Sequence, residues 1–61
     1  MKFKKDQIEF MKEIGLDVEK NEVDESEIEE VVSENLQKNG FDENYNITPF
    51  GRTCESILDL L

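Results

Sequence analysis

The chain has 61 residues, of which 16 are acidic and 7 basic, so its formal net charge is -9. An acidic surface repels phosphate groups, so we expect neither nucleic acids nor anionic membranes as partners. A chain of this length buries only about 60% of the surface that its unfolded form exposes, which predicts one small domain with a modest core. No apolar run approaches the roughly 18 residues of a membrane span, and the single Cys54 cannot form an internal disulfide. These features predict a cytoplasmic protein.

The negative charge is concentrated in the second two-thirds of the chain. Residues 1–20 contain equal numbers of acids and bases, whereas residues 21–61 contain eleven acids against Lys38 and Arg52. Because opposite charges attract partners over several ångströms, this asymmetry favours a basic protein surface as the partner. The simpler alternative is a solvated, highly charged surface with no partner.

The first predicted helix covers about residues 5–15. Phe10, Met11 and Ile14 share one face at helical spacing, and Ile8 lies at its edge. Gly15 is suited to the left-handed conformation that often ends a helix. The helix therefore presents one apolar face to the core.

The second predicted helix covers about residues 25–39, after a loop over residues 16–24. Asp24 and Ser26 are alternative caps for its start, because each is followed three residues later by a glutamate. Gly40 is its predicted stop, with a hydrophobic residue after it. The apolar stripe of this helix consists of Ile28, Val31, Val32 and Leu36.

The third predicted helix covers about residues 48–61. Thr48 is a favoured cap, and Pro49 occupies the first helical position, where its missing amide hydrogen costs nothing. The apolar stripe then continues to the last residue. It consists of Phe50, Cys54, Ile57, Leu58 and Leu61. Cys54 is therefore predicted to be a buried, unreactive thiol.

The run Tyr45-Asn46-Ile47-Thr48-Pro49-Phe50-Gly51-Arg52 resembles a segment of the winged-helix transcriptional regulators of the PadR, MarR and HxlR kinds, at the point where the wing ends and the last helix begins. The resemblance covers residues 45–61. It implies a role in dimerisation for Cys54, Ile57, Leu58 and Leu61. It does not imply DNA binding, because no strand pair is predicted before this segment and the preceding helix is acidic. The rest of the chain is similar only to the many short acidic helical proteins of bacteria and their phages.

Catalytic and metal-binding patterns are incomplete in this chain. It has no histidine, which removes the usual acid–base pairs, cysteine–histidine dyads and zinc sites. Asp42, Asn44 and Asn46 match the first three ligands of a calcium loop. The pattern then fails, because Ile47 replaces the required glycine and Thr53 the bidentate glutamate. We therefore predict no catalytic residue, no metal and no cofactor.

The predicted protein-binding residues lie on the second helix. Glu27, Glu30 and Glu34 recur at one side of it, opposite the apolar stripe, where they form either a docking surface or a solvated face. Asn35 falls within the apolar stripe and is expected to bond the backbone of the loop over residues 16–24, or to be a polar point in an interface. A second surface is the predicted homodimer face on the third helix, which comprises Ile57, Leu58 and Leu61.

The expected fold is an all-α, compact three-helix bundle, orthogonal or helix-turn-helix-like, formed by one domain over residues 1–61. Gly51 is expected to allow close packing by Tyr45 or Phe41. The loop is expected to place Leu16, Val18 or Val23 on the core. The predicted core is Phe3, Ile8, Phe10, Met11, Ile14, Leu16, Ile28, Val31, Val32, Leu36, Phe41, Tyr45, Ile47, Phe50, Cys54, Ile57, Leu58 and Leu61.

This architecture favours a non-catalytic protein-interaction module of the accessory or inhibitor type. The alternatives are a structural homo-oligomer without another partner, and a relict winged-helix regulator that has lost DNA binding.

Overall fold

A computed structural model describes residues 3–61, which form three helices. Helix α1 spans Lys5–Glu13, α2 spans Glu25–Asn39 and α3 spans Pro49–Leu58. Residues 3–61 contain no strand, so the predicted all-α three-helix fold is confirmed. The chain measures 37 Å along its longest axis and 19 Å along each of the others. No helix in this range has both the length and the hydrophobicity to cross a membrane.

Helix α1 ends two residues before the predicted boundary, in a glycine-terminated cap. Gly15 has φ +97°, so the predicted left-handed stop is confirmed. The amide of Gly15 donates to the carbonyl of Lys12 at 3.1 Å, and that of Leu16 donates to the carbonyl of Met11 at 2.7 Å. This bond pattern satisfies carbonyls that the end of a helix leaves without partners, and it turns Leu16 into the core.

The start of α2 differs from the prediction. Asp24 lies at the N-cap position, but its side chain makes no capping bond within the described residues, and Ser26 lies inside the helix. Neither predicted capping box is therefore formed. Glu25 and Glu27 lie in the first turn, where the helix dipole favours acids, and this interaction stabilises the start instead.

The start of α3 agrees with the prediction. The hydroxyl oxygen of Thr48 accepts from the amide of Gly51 at 3.1 Å, and Pro49 occupies the first position. The Thr48 hydroxyl also donates to the carbonyl of Asn39 at 3.1 Å, so this cap joins the end of α2 to the start of α3. Helix α3 ends at Leu58, earlier than predicted, and tighter turns complete the chain because Leu60 and Leu61 bond carbonyls three residues back.

Two glycines allow α2 and α3 to meet closely. A side-chain carbon at Gly51 would overlap the carbonyl oxygen of Gly40 and lie 2.8 Å from Cγ1 of Ile47. The Gly40 carbonyl also accepts from the amide of Thr48 at 2.8 Å. Gly40 ends α2 with φ -81°, so it is a right-handed cap rather than a left-handed one. The predicted close approach at Gly51 is therefore present, but its neighbours are Gly40 and Ile47 rather than Tyr45 or Phe41.

The core lies mainly between α2 and α3, with α1 packed beside α3. The rings of Phe10 and Phe50 join α1 to α3 edge to face, with centroids 4.9 Å apart. The loop between α1 and α2 contributes to the core as predicted, since Leu16 is buried and Val18 and Val23 pack against the core. Within residues 3–61, the buried apolar residues are Met11, Leu16, Ile28, Val32, Cys54 and Ile57.

Two residues of the predicted core are exposed instead. Phe41 is 46% exposed and Tyr45 is 88% exposed. Both belong to the loop between α2 and α3, where a single antiparallel bridge pairs Phe41 with Ile47. This bridge closes the loop backbone into a short turn. The turn directs both aromatic side chains away from the core.

A buried polar residue links α1 to α3. Gln7 is buried, and its side-chain oxygen accepts from the amide of Lys4 at 2.8 Å. Its side-chain nitrogen donates to the hydroxyl of Ser56 at 3.1 Å, and that hydroxyl donates to the carbonyl of Thr53 at 2.8 Å. Buried amides cost free energy unless they are bonded, so this chain of bonds fixes α1 in one position on α3.

Candidate functional site

The acidic residues of α2 line a shallow groove along its solvent side. We call the six residues of this groove the acidic α2 face: Ser26, Glu29, Glu30, Ser33, Glu34 and Gln37. The predicted Glu30 and Glu34 belong to it, whereas Glu27 is exposed but lies beside the groove. A step of 100° per residue places Glu29 on one edge, Glu30 and Glu34 on the other, and the two serines between them.

Glu29 is a site residue that sequence reasoning missed. It was interpreted as part of a capping box with Ser26, but both residues line the groove, Glu29 at one edge and Ser26 between the edges. Helical spacing alone does not single it out, because at 100° per residue Glu29 lies about 60° from Val32, which is one of the buried residues of α2.

One acid of this face has a basic neighbour on the same helix. The carboxylate of Glu34 lies 2.9 Å from the ammonium nitrogen of Lys38, one turn further along. Both side chains are largely exposed, and exposed ion pairs of this spacing contribute only about 0.3–0.5 kcal/mol. Lys38 therefore weakens the negative potential at one end of the face without removing it.

Asn35 does not bond the loop over residues 16–24, so that prediction is wrong. Its side-chain nitrogen donates to the carbonyl of Val31 at 2.8 Å, within α2 itself. The spacing of four residues brings an asparagine side chain close to that carbonyl, so the helix satisfies the amide locally. Asn35 is half-buried and does not line the acidic α2 face.

One residue of the predicted dimer face is not on the surface of the protein. Ile57 is fully buried within the single chain, so it has no surface to offer to a second copy. Leu58 and Leu61 are half-buried and pack against the same core, and Leu60 is 38% exposed. Residues at the end of α3 thus mainly complete the core of one chain.

The calcium-like residues form a self-contained turn. One carboxylate oxygen of Asp42 accepts from the amides of Asn44 and Asn46, at 2.9 and 3.0 Å. The amide of Asp42 donates to the carbonyl of Asn46 at 2.9 Å, which closes the turn. Within residues 3–61, no group of three or more acidic, histidine or cysteine side chains is placed to hold a metal ion.

Tyr45 holds an unfavourable backbone conformation in this turn. Its φ is +62°, in the left-handed region that glycine and asparagine adopt most easily, and its side chain is 88% exposed. We expect Tyr45→Gly to raise the free energy of unfolding by about 1 kcal/mol, because it relieves this strain and removes little buried surface. Chemical denaturation followed by circular dichroism measures the change. A matched Glu43→Gly variant, in the same turn, is expected to lose stability, and a loss in Tyr45→Gly would contradict the account.

Cys54 is a buried thiol, as predicted from its position on the apolar stripe of α3. Its side chain is fully inaccessible, and this desolvation raises the pKa of the thiol. A raised pKa keeps the sulfur protonated near neutral pH, where the thiol is a poor nucleophile. The geometry around it is that of a packing residue.

No protein-family model matches this chain, and no curated protein or solved structure is significantly similar to it. The acidic α2 face is shallow and open, and it carries carboxylates, an amide and hydroxyls. Such a surface attracts cations and basic side chains, whereas it does not exclude water as catalytic carboxylates require.

Proposed function

We propose that this protein is a non-catalytic interaction module of the accessory or inhibitor type, whose acidic α2 face binds a basic surface of another protein. The observation that carries the proposal is the one-sided arrangement of charge on α2. Glu29, Glu30 and Glu34 project to solvent along one groove, while the opposite side of the helix is buried. A surface of one sign both speeds encounter with a partner of the opposite sign and selects against partners of the same sign.

The shape of the face supports a flat or helical partner. Ser26 and Ser33 lie seven residues apart along its centre, so short side chains separate the two acidic edges. A partner segment that lies along this groove brings its bases within reach of carboxylates on both sides. The net charge of -9 extends the attraction beyond the contact itself.

A cytoplasmic location is part of this proposal. Cys54 is a free thiol in the core of a chain without a second cysteine. Buried free thiols are compatible with the reducing conditions of the cytoplasm. A partner in the same compartment is therefore expected.

The proposal is tested by affinity capture from a lysate of the cells that produce the protein. We expect the wild type to retain basic proteins at low salt and to release them at high salt, because exposed charges are screened within about 8 Å at physiological ionic strength. Immobilised Glu30→Lys should retain much less of the same proteins. Glu55→Lys is the matched control, since Glu55 is also exposed in a helix and its reversal changes the net charge equally. If both variants lose binding equally, net charge alone explains the binding, and the proposal is contradicted.

A further inference from the structure

An open cleft of about 470 Å³ lies between the α1–α2 loop and the first turns of α2. Its apolar lining comes from the core residue Ile28 and from Phe3, Val18 and Val23, which pack against the core. Volumes of this order accommodate small ligands or one or two large side chains. The cleft is separate from the acidic α2 face, because the two share no lining residue.

The rim of the cleft is acidic. Glu22 and Asp24 lie on it, and Lys20 is a basic residue of the same lining. Glu19 also lines the cleft, but its carboxylate lies 2.6 Å from the ammonium nitrogen of Lys12, which partly neutralises it. The acids outnumber the base around an apolar interior, so the cleft favours an apolar group that is flanked by positive charge.

One wall of the cleft is an aromatic side chain, which is available to contact an apolar group. Phe3 lines the cleft, and the sequence surrounds it with Lys2, Lys4 and Lys5. An aromatic side chain from a lysine-rich segment therefore already forms one wall. A second aromatic side chain of the same kind would gain apolar contact with Val18, Val23 and Ile28, while its basic neighbours meet the rim.

We propose that this cleft is a second binding site, which takes a large apolar side chain of a lysine- or arginine-rich segment in a partner protein. The proposal rests on the proposed function for the basic character of the partner, but it assigns a different surface. The cleft supplies selectivity for an apolar anchor, whereas the acidic α2 face is lined by no apolar residue. Binding at both surfaces by one partner would add their contributions.

The test uses a short synthetic lysine peptide with one central phenylalanine, and a matched peptide with serine in its place. We expect the phenylalanine peptide to bind about ten-fold more tightly, because it buries an aromatic ring in the cleft. In methyl NMR spectra of the full chain, it should shift the signals of Val18, Val23 and Ile28. The serine peptide should leave these three signals nearly unchanged.

Two charge variants identify which surface responds. We expect Glu22→Lys to weaken binding of the phenylalanine peptide about five-fold and Glu43→Lys, in the exposed turn before α3, to leave it nearly unchanged. Equal affinity for the two peptides, unshifted methyl signals or no binding at low salt would overturn the cleft proposal. If binding is instead weakened by Glu30→Lys and not by Glu22→Lys, the cleft is excluded while the acidic α2 face retains its proposed function.

Discussion

Gly51→Ala is expected to lower the free energy of unfolding by about 3 kcal/mol, although alanine is ordinarily the better helix former. Alanine in an unobstructed helix position would stabilise the protein by about 0.5–1 kcal/mol. Here the added carbon overlaps the carbonyl oxygen of Gly40 and lies 2.8 Å from Cγ1 of Ile47. One of these neighbours is backbone, so α2 and α3 have to move apart, and overpacking of this kind costs about 1–3 kcal/mol or more.

The movement would also disturb the hydrogen bonds that join the two helices. Thr48 donates to the carbonyls of Gly40 and Asn39 through its amide and its hydroxyl. Chains of this length have a total stability of about 3–9 kcal/mol, so the variant is expected to melt about 10–20 °C lower.

Thermal unfolding followed by circular dichroism measures this effect. Arg52→Ala is the control, because Arg52 is the next residue of α3 and its side chain is exposed. We expect its free energy of unfolding to lie within about 0.5 kcal/mol of the wild type. A higher melting temperature in Gly51→Ala would show that α2 and α3 do not approach each other at this point.

The second large effect is expected for Ile57→Ala, with a loss of about 2–4 kcal/mol in the free energy of unfolding. Ile57 is fully buried, and removing its outer carbons leaves a cavity among the other core side chains. Leu58→Ala serves as the comparison, since Leu58 is half-buried on the same helix and should lose less.

Protein concentration distinguishes packing in one chain from packing between two. If Ile57 belongs to the core of a single chain, the loss is the same at every protein concentration. A homodimer that depended on this residue would instead give a loss that varies with concentration, because unfolding would be linked to dissociation. Light scattering on the variant and the wild type completes the comparison.

The helices were predictable from sequence because their signals are local. Thr48 and Pro49 start α3, and Gly15 ends α1, through interactions with residues only a few positions away. The periodic apolar residues of α2 and α3 likewise identify the buried sides of those helices. These features depend on local backbone geometry, which a few consecutive residues determine.

The contacts between distant residues were not predictable in the same way. The Gly40–Gly51 approach brings together the end of one helix and the first turn of another, and either glycine alone is consistent with several partners. Gln7 shows the same limit. A glutamine near the start of α1 suggests a capping role, which it has, but nothing local indicates that Ser56 completes its bonding.

The exposed aromatics are a third case. Phe41 and Tyr45 are apolar enough to be assigned to the core, but the hydrogen bonds of Asp42 close the loop into a turn that carries them outward. The prediction for Asn35 failed for the opposite reason, because a hydrogen bond within its own helix replaces the bond to a distant loop that was expected.

In the candidate site, the positions of Glu30 and Glu34 follow from helical spacing. The position of Glu29 in the groove could be assigned only once the orientation of the whole helix was known.

The central claim is that the acidic α2 face binds a basic protein surface through its position on the helix and not only through net charge. The most direct measurement is the affinity of a captured basic protein for the wild type, Glu30→Lys and Glu55→Lys, by calorimetry at low and at physiological salt. We predict about ten-fold weaker binding for Glu30→Lys, a much smaller change for Glu55→Lys, and weaker binding of the wild type at the higher salt. Equal affinities of the two variants, or an affinity of the wild type that does not change with salt, would contradict the claim.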